Sequence, residues 1–146
     1  MKAISLDNVH KGQSGVVLLE ALIAIFIFSV GILGLVGALS ASVTNASEAQ
    51  YRTEAAFLAD ALIAELRVAS PTTRASDYAS PSGAGFVAWK NRVTAGINAL
   101  PGAGNTANLP TVVFSGTGNR NVLATIRWQA KNSSTTRQYI VETALE

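Results

Sequence analysis

Glu20 is the side chain that most needs a chemical account. It is the only ionisable group in residues 15–43, about 28 of which form an unbroken apolar run that opens Gly-Val-Val-Leu-Leu-Glu-Ala-Leu-Ile-Ala-Ile-Phe. A carboxylate at the centre of a membrane helix costs roughly 3 kcal/mol on insertion scales and more by other estimates. Two structural explanations compete with a functional one. The side chain can snorkel to the interface, or it can be protonated there.

Other chemistry is sparse. The chain has no cysteine, so a disulfide frame and a thiolate metal site are both excluded, and its one histidine, His10, lies ahead of the apolar run. There is no G-x-x-x-x-G-K-[ST], no G-x-G-x-x-G after a strand and no metal-ligand spacing. Gly31, Gly34 and Gly37 fall inside the apolar run, where they cannot present amides to a phosphate. Ser133 and Ser134 have neither a histidine nor a cysteine to activate them. Asn132-Ser133-Ser134 matches a glycosylation sequon, a short pattern that often arises by chance. No enzyme activity, cofactor or metal is therefore expected.

The formal charge is +2, and beyond residue 15 there are 9 basic against 8 acidic residues with no block of like charge. This balance argues against nucleic acid as a partner. Arg120, Lys131 and Arg137 are the cations available to a phosphate-binding head, but near strand ends such residues are more often solvated turn positions.

The elements that position Glu20 are legible. Residues 1–15 are short, polar and mildly basic, and Lys2 and Lys11 mark them as the cytoplasmic flank of a membrane helix. The following run is long enough to cross about 30 Å of hydrocarbon. Ala38-Leu-Ser-Ala41 mimics a signal-peptidase site, but the run before it is already spanning length. No proline interrupts residues 16–69. From Tyr51 onward the apolar positions are Tyr51, Ala55, Leu58, Leu62 and Leu66, widened by Ala59 and Ile63, with charged residues on the remainder and Glu48 spaced to pair with Arg52. One continuous helix is expected, roughly 78 Å long, with a transmembrane half over residues 16–43 and an amphipathic half over 44–69. Gly31, Gly34 and Gly37 serve either close helix packing or local unwinding.

The remaining residues, 70–146, form a small head. Residues 70–85 read as a surface loop, and Phe86, Trp89, Val93, Ile97 and Leu100 space out a helix over 86–100 that Pro101-Gly102 ends. Residues 111–115, 122–130 and 138–144 read as strands joined by polar turns. Val122, Ala124, Ile126 and Trp128 should face the core, with Arg127 and Gln129 in water. The fold class is α+β, with an antiparallel sheet packed on the amphipathic half of the long helix.

Gly15, the apolar stretch after it and Glu20 four beyond Val16 together resemble the class III signal of type IV prepilins. The resemblance implies that a prepilin peptidase cuts after Gly15 and methylates the new amino terminus at Val16. Residues 1–15 are then a leader, and the apolar run stays as an anchor. Val16 and Val17 depart from the family, which usually has Phe or Met at the first position and often Thr or Ser at the second. The cut supplies what Glu20 lacks. The amine of Val16, its own or a neighbour's, attracts the carboxylate strongly in a dry filament core and sets the axial register of assembly. Gly37 stands where many major pilins carry a helix-breaking proline.

Arg52-Thr-Glu-Ala-Ala-Phe-Leu-Ala-Asp-Ala-Leu, the Trp89 helix ending in Leu-Pro-Gly and Val-Leu-Ala-Thr-Ile-Arg-Trp look like the PilV-type minor pilins. This resemblance implies a type IV pilin fold and a low-abundance, tip-proximal subunit that primes or modifies pilus assembly. The implied partners are the prepilin peptidase, other minor pilins and the major pilin, a tip adhesin, and inner-membrane lipid before assembly. The implied location is the bacterial inner membrane with the head in the periplasm, then the extracellular pilus. A type II secretion pseudopilin shares leader and stem and remains an alternative, as does a DNA-binding or adhesive pilin using Arg120, Lys131 and Arg137.

Overall fold

In a computed structural model the described residues are 14–131 and 133–146. They run from a long helix, α1 (Ser14–Val68), through the short α2 (Arg74–Tyr78) and α3 (Ala84–Ala95) to three strands, β1 (Thr111–Ser115), β2 (Asn121–Trp128) and β3 (Arg137–Ala144). Lys2, Asp7, His10, Lys11 and the sequon residue Asn132 lie outside the described residues. The fold is α+β, with a long apolar N-terminal helix and a small antiparallel sheet.

The chain divides into two units between Asn45 and Ala46. In the first, the described residues are all helix, and every side chain from Val16 to Asn45 is exposed. By length and composition this helix can cross a membrane, and none of its most apolar window is buried. Two hydroxyls within it are satisfied by the helix itself: Ser29 Oγ donates to the Ile25 carbonyl at 2.7 Å, and Thr44 Oγ1 to the Ser40 carbonyl at 3.0 Å. That back-bonding suits an apolar medium, where an unpaired hydroxyl would be costly.

The second unit holds the core. Ala55, Leu58, Ala59, Leu62, Ile63 and Leu66 of α1 form one buried stripe, as their three and four residue spacing dictates. They cluster with Phe86, Trp89 and Val93 of α3 and with Val112, Val122, Ala124, Ile126 and Trp128 of the sheet. The strand order is β1-β2-β3, with Val112 opposite Ala124 and Ala124 opposite Val141. β2 therefore sits centrally and supplies Val122, Ala124, Ile126 and Trp128 to the buried face, as its alternation requires. The free edge of β1 is met by Ser80, whose backbone N–H and Oγ both donate to the Val112 carbonyl at 3.0 Å.

Trp89 ties the two layers together. It is fully buried, and its Nε1 donates to the Leu58 carbonyl of α1 at 2.9 Å. Phe86 lies beside it with ring centroids 6.1 Å apart and planes tilted by 51°. The bond leaves no indole donor stranded in the core, where it would cost about 1–3 kcal/mol.

Several details differ from the sequence expectation. α3 ends at Ala95, not residue 100, because Gly96 is extended (ψ 175) and the chain turns back, with the Leu100 N–H reaching the Val93 carbonyl at 3.0 Å. Leu100 is thus buried through a turn while Ile97, expected in the core, is fully exposed at 104%. Residues 70–85 are not only a loop, since α2 lies within them and Gly83 is buried against Asp77. A Cβ on Gly85 would come within 2.6 Å of the Tyr78 ring, so this glycine makes room for the packing of Tyr78 on α3. Arg127 and Gln129 are half-buried: Arg127 Nη1 donates to the Leu109 carbonyl at 3.1 Å, and Gln129 Nε2 to Ser133 at 2.9 Å.

Replacing Trp89 by Phe should cost about 1–2 kcal/mol of unfolding free energy and Trp89→Ala about 3–5, measured by urea denaturation; a Trp89→Phe variant as stable as the parent would mean that the hydrogen bond contributes nothing. Burial and then the Glu65 carboxylate push the Tyr78 hydroxyl above its ordinary value of 10.0. A raised folded-state value means stability that is complete below the unfolded value and is lost as pH rises through it toward the folded one. Alkaline destabilisation above pH 10 should therefore be shallower in Tyr78→Phe, read from thermal melts across that range.

Candidate assembly site

Gly15, Val16 and Glu20 all lie in the first turns of α1, because the helical backbone is already established at Ser14. Val16 and Glu20 are four residues apart and so occupy one face, with side chains about 6 Å apart by helix geometry. Val16 is 66% exposed, and Glu20 is also exposed. Glu20 has no hydrogen bond or ion pair among the described residues. The nearest charge that follows it in the chain is Glu48. A lone carboxylate in this apolar surface has nothing within the described chain to neutralise it.

The three glycines of the apolar run are regular helix, and a Cβ on Gly31, Gly34 or Gly37 would meet nothing within 4 Å. No side chain among the described residues needs them to be small. Their lack of side chains is available to whatever packs on the helix from outside, and each still lowers helix propensity by about 1 kcal/mol relative to alanine.

In the head, ion pairing differs from the expected Glu48 to Arg52 contact. Glu48 instead receives both of its bonds from Arg137 Nη2, at 3.0 and 3.1 Å, and Arg92 pairs with Glu65. Both pairs link the water-facing half of α1 to the rest of the head. Being partly exposed, each is worth about 1 kcal/mol at most.

Arg137 is therefore occupied, which weakens the set Arg120, Lys131 and Arg137 as a phosphate-binding patch. The sheet register separates that set further. Arg120 precedes Asn121 at the start of β2, whereas Arg137 pairs with Trp128 at its end and Lys131 follows there. The strand between them spans about 25 Å.

Sequence reasoning missed Asn108. It is 3% exposed and organises the long connection to β1, donating through Nδ2 to the Gly102 carbonyl at 3.0 Å and accepting from Thr136 Oγ1 at 3.3 Å. An asparagine between Ala107 and Leu109 carries no local signal of burial, since its partners come from 6 and 28 residues away.

Comparison with protein-family models, curated proteins and solved structures yields no significant match.

Because the Glu20 side chain has no partner among the described residues, Glu20→Ala should change the unfolding free energy of the head by less than about 0.5 kcal/mol. Tryptophan fluorescence melts of the full chain in detergent would detect a larger loss, which would assign Glu20 a structural role within the subunit.

Proposed function

We propose that the chain is a minor pilin of a type IV pilus, of the PilV type, which primes or modifies assembly as a low-abundance, tip-proximal subunit. The observation that carries the reading is the isolated Glu20, exposed on an apolar helix four residues after Val16 and without a partner among the described residues. Cleavage after Gly15 creates a cationic amine on Val16. In an environment of low dielectric constant that amine and the Glu20 carboxylate attract far more strongly than in water. The pairing gives the acid a counter-charge and an incoming subunit a defined axial position.

Two further features support the proposal. The large apolar side chains of residues 16–43 are exposed among the described residues, so they can face lipid first and neighbouring stem helices afterwards. The amphipathic continuation of α1 packs beneath a small antiparallel sheet, a layout compatible with the pilin fold. In this reading the prepilin peptidase acts at the cytoplasmic face of the inner membrane, the head stands in the periplasm, and the mature subunit joins other minor pilins, the major pilin and a tip adhesin.

Mass spectrometry of the protein from cells with and without a prepilin peptidase tests the assignment. The mature chain should begin at N-methyl-Val16 only when the peptidase is present, and an uncut chain or a cut beyond residue 40 would exclude the pilin class. Glu20→Ala should still be processed yet be depleted from sheared pili; normal incorporation would remove the proposed role of the carboxylate.

A further inference from the structure

A cleft of about 440 Å³ in the head is lined by Arg67 from the last turn of α1, Arg74 at the start of α2, and Ala144, Leu145 and Glu146. Arg74 is unusual within it. The residue is only 6% exposed, and its guanidinium makes a single hydrogen bond, from Nη2 to the Ala69 carbonyl at a long 3.4 Å. Its Nε is buried with no partner. A guanidinium carries five N–H donors, and a buried one left without a partner, as at Nε, is costly unless an anion or another acceptor completes it.

The described residues do not complete it. Neither Arg67 nor Arg74 forms an ion pair among them, and the only acid on the cleft wall, Glu146, is exposed and bridges to neither. The backbone holds Arg74 in place independently of any ligand, because its N–H donates to the Ser70 carbonyl at 2.8 Å. Arg67 is exposed on the same wall. Two guanidinium groups, one buried and one exposed, suit an oxyanion that accepts from both, since charge-assisted bonds to arginine are roughly twice as strong as neutral ones.

We infer that this cleft is an oxyanion site whose ligand is a carboxylate or phosphate group held between Arg67 and Arg74. The inference rests on the head alone and does not depend on the pilin reading. The size of the cleft admits more than a bare ion, so the group can be the end of a larger molecule.

The test is a titration of the full chain in a non-ionic detergent with sodium phosphate and, separately, sodium acetate. It follows the side-chain Nε–H resonance of Arg74, assigned by its loss in Arg74→Lys. A saturable shift with either anion, weakened roughly tenfold by Arg67→Gln and strengthened by Glu146→Gln, is the expected result. Preference for acetate identifies a carboxylate site, and preference for phosphate a phosphate site. The inference fails if neither anion gives a saturable shift, if sodium chloride at equal ionic strength gives the same shift, or if Arg67→Gln binds as tightly as the parent. Arg67 is exposed, so its replacement keeps the fold, and unchanged tryptophan fluorescence confirms this for each variant.

Discussion

One helix in this chain carries two kinds of surface, apolar on all sides up to Val43 and a buried stripe with polar flanks from Tyr51 on. The large apolar side chains between Val16 and Val43 each remain at least 44% exposed. Covering a Val, Leu, Ile or Phe completely is worth about 1.5–3 kcal/mol, so the uncovered surface represents tens of kcal/mol that no contact among the described residues recovers. Some other apolar phase, lipid or neighbouring chains, has to cover it. The same requirement makes the lone Glu20 conspicuous. A charge that is harmless on a water-facing helix becomes the most expensive group in a medium without water.

Past Asn45 the helix belongs to the second unit, where part of its surface is buried. Its apolar residues contract to the stripe from Ala55 to Leu66, which is wide enough to receive α3 and the buried face of the sheet. Trp89 makes that docking specific. Apolar contact alone would tolerate sliding of α3 along α1, whereas the bond from Nε1 to the Leu58 carbonyl selects one position. The two ion pairs, Glu48 to Arg137 and Glu65 to Arg92, lie at the rim of this contact. Their small individual worth makes them guides to alignment more than sources of stability.

The polar groups of the head follow a different logic from its core. Asn108 is buried and has partners on both sides of its amide, so it stabilises the connection that leads into β1. Arg74 is equally buried, yet its Nε has no acceptor among the described residues. Asn108 shows how a loop holds its shape, whereas Arg74 keeps an N–H that the fold itself does not use.

Much of this was legible in the residues themselves. Apolar length and the absence of proline determined the long helix, the three and four residue spacing from Tyr51 to Leu66 determined its buried stripe, and alternation in β2 determined which side chains face the core. These are properties of nearest neighbours along a helix or strand, so they survive in a linear reading. The tertiary structure alone decided the end of α3 at Ala95, the exposure of Ile97, the exchange of Arg52 for Arg137 as the partner of Glu48, and the burial of Asn108 and Arg74. Each of these depends on a chain reversal or on packing against segments distant in sequence. Helical spacing carried Phe86, Trp89 and Val93 correctly but could not register that Leu100 reaches the core by turning back to Val93. The reason is that periodicity records which residues want burial, while only the path of the backbone determines how they attain it.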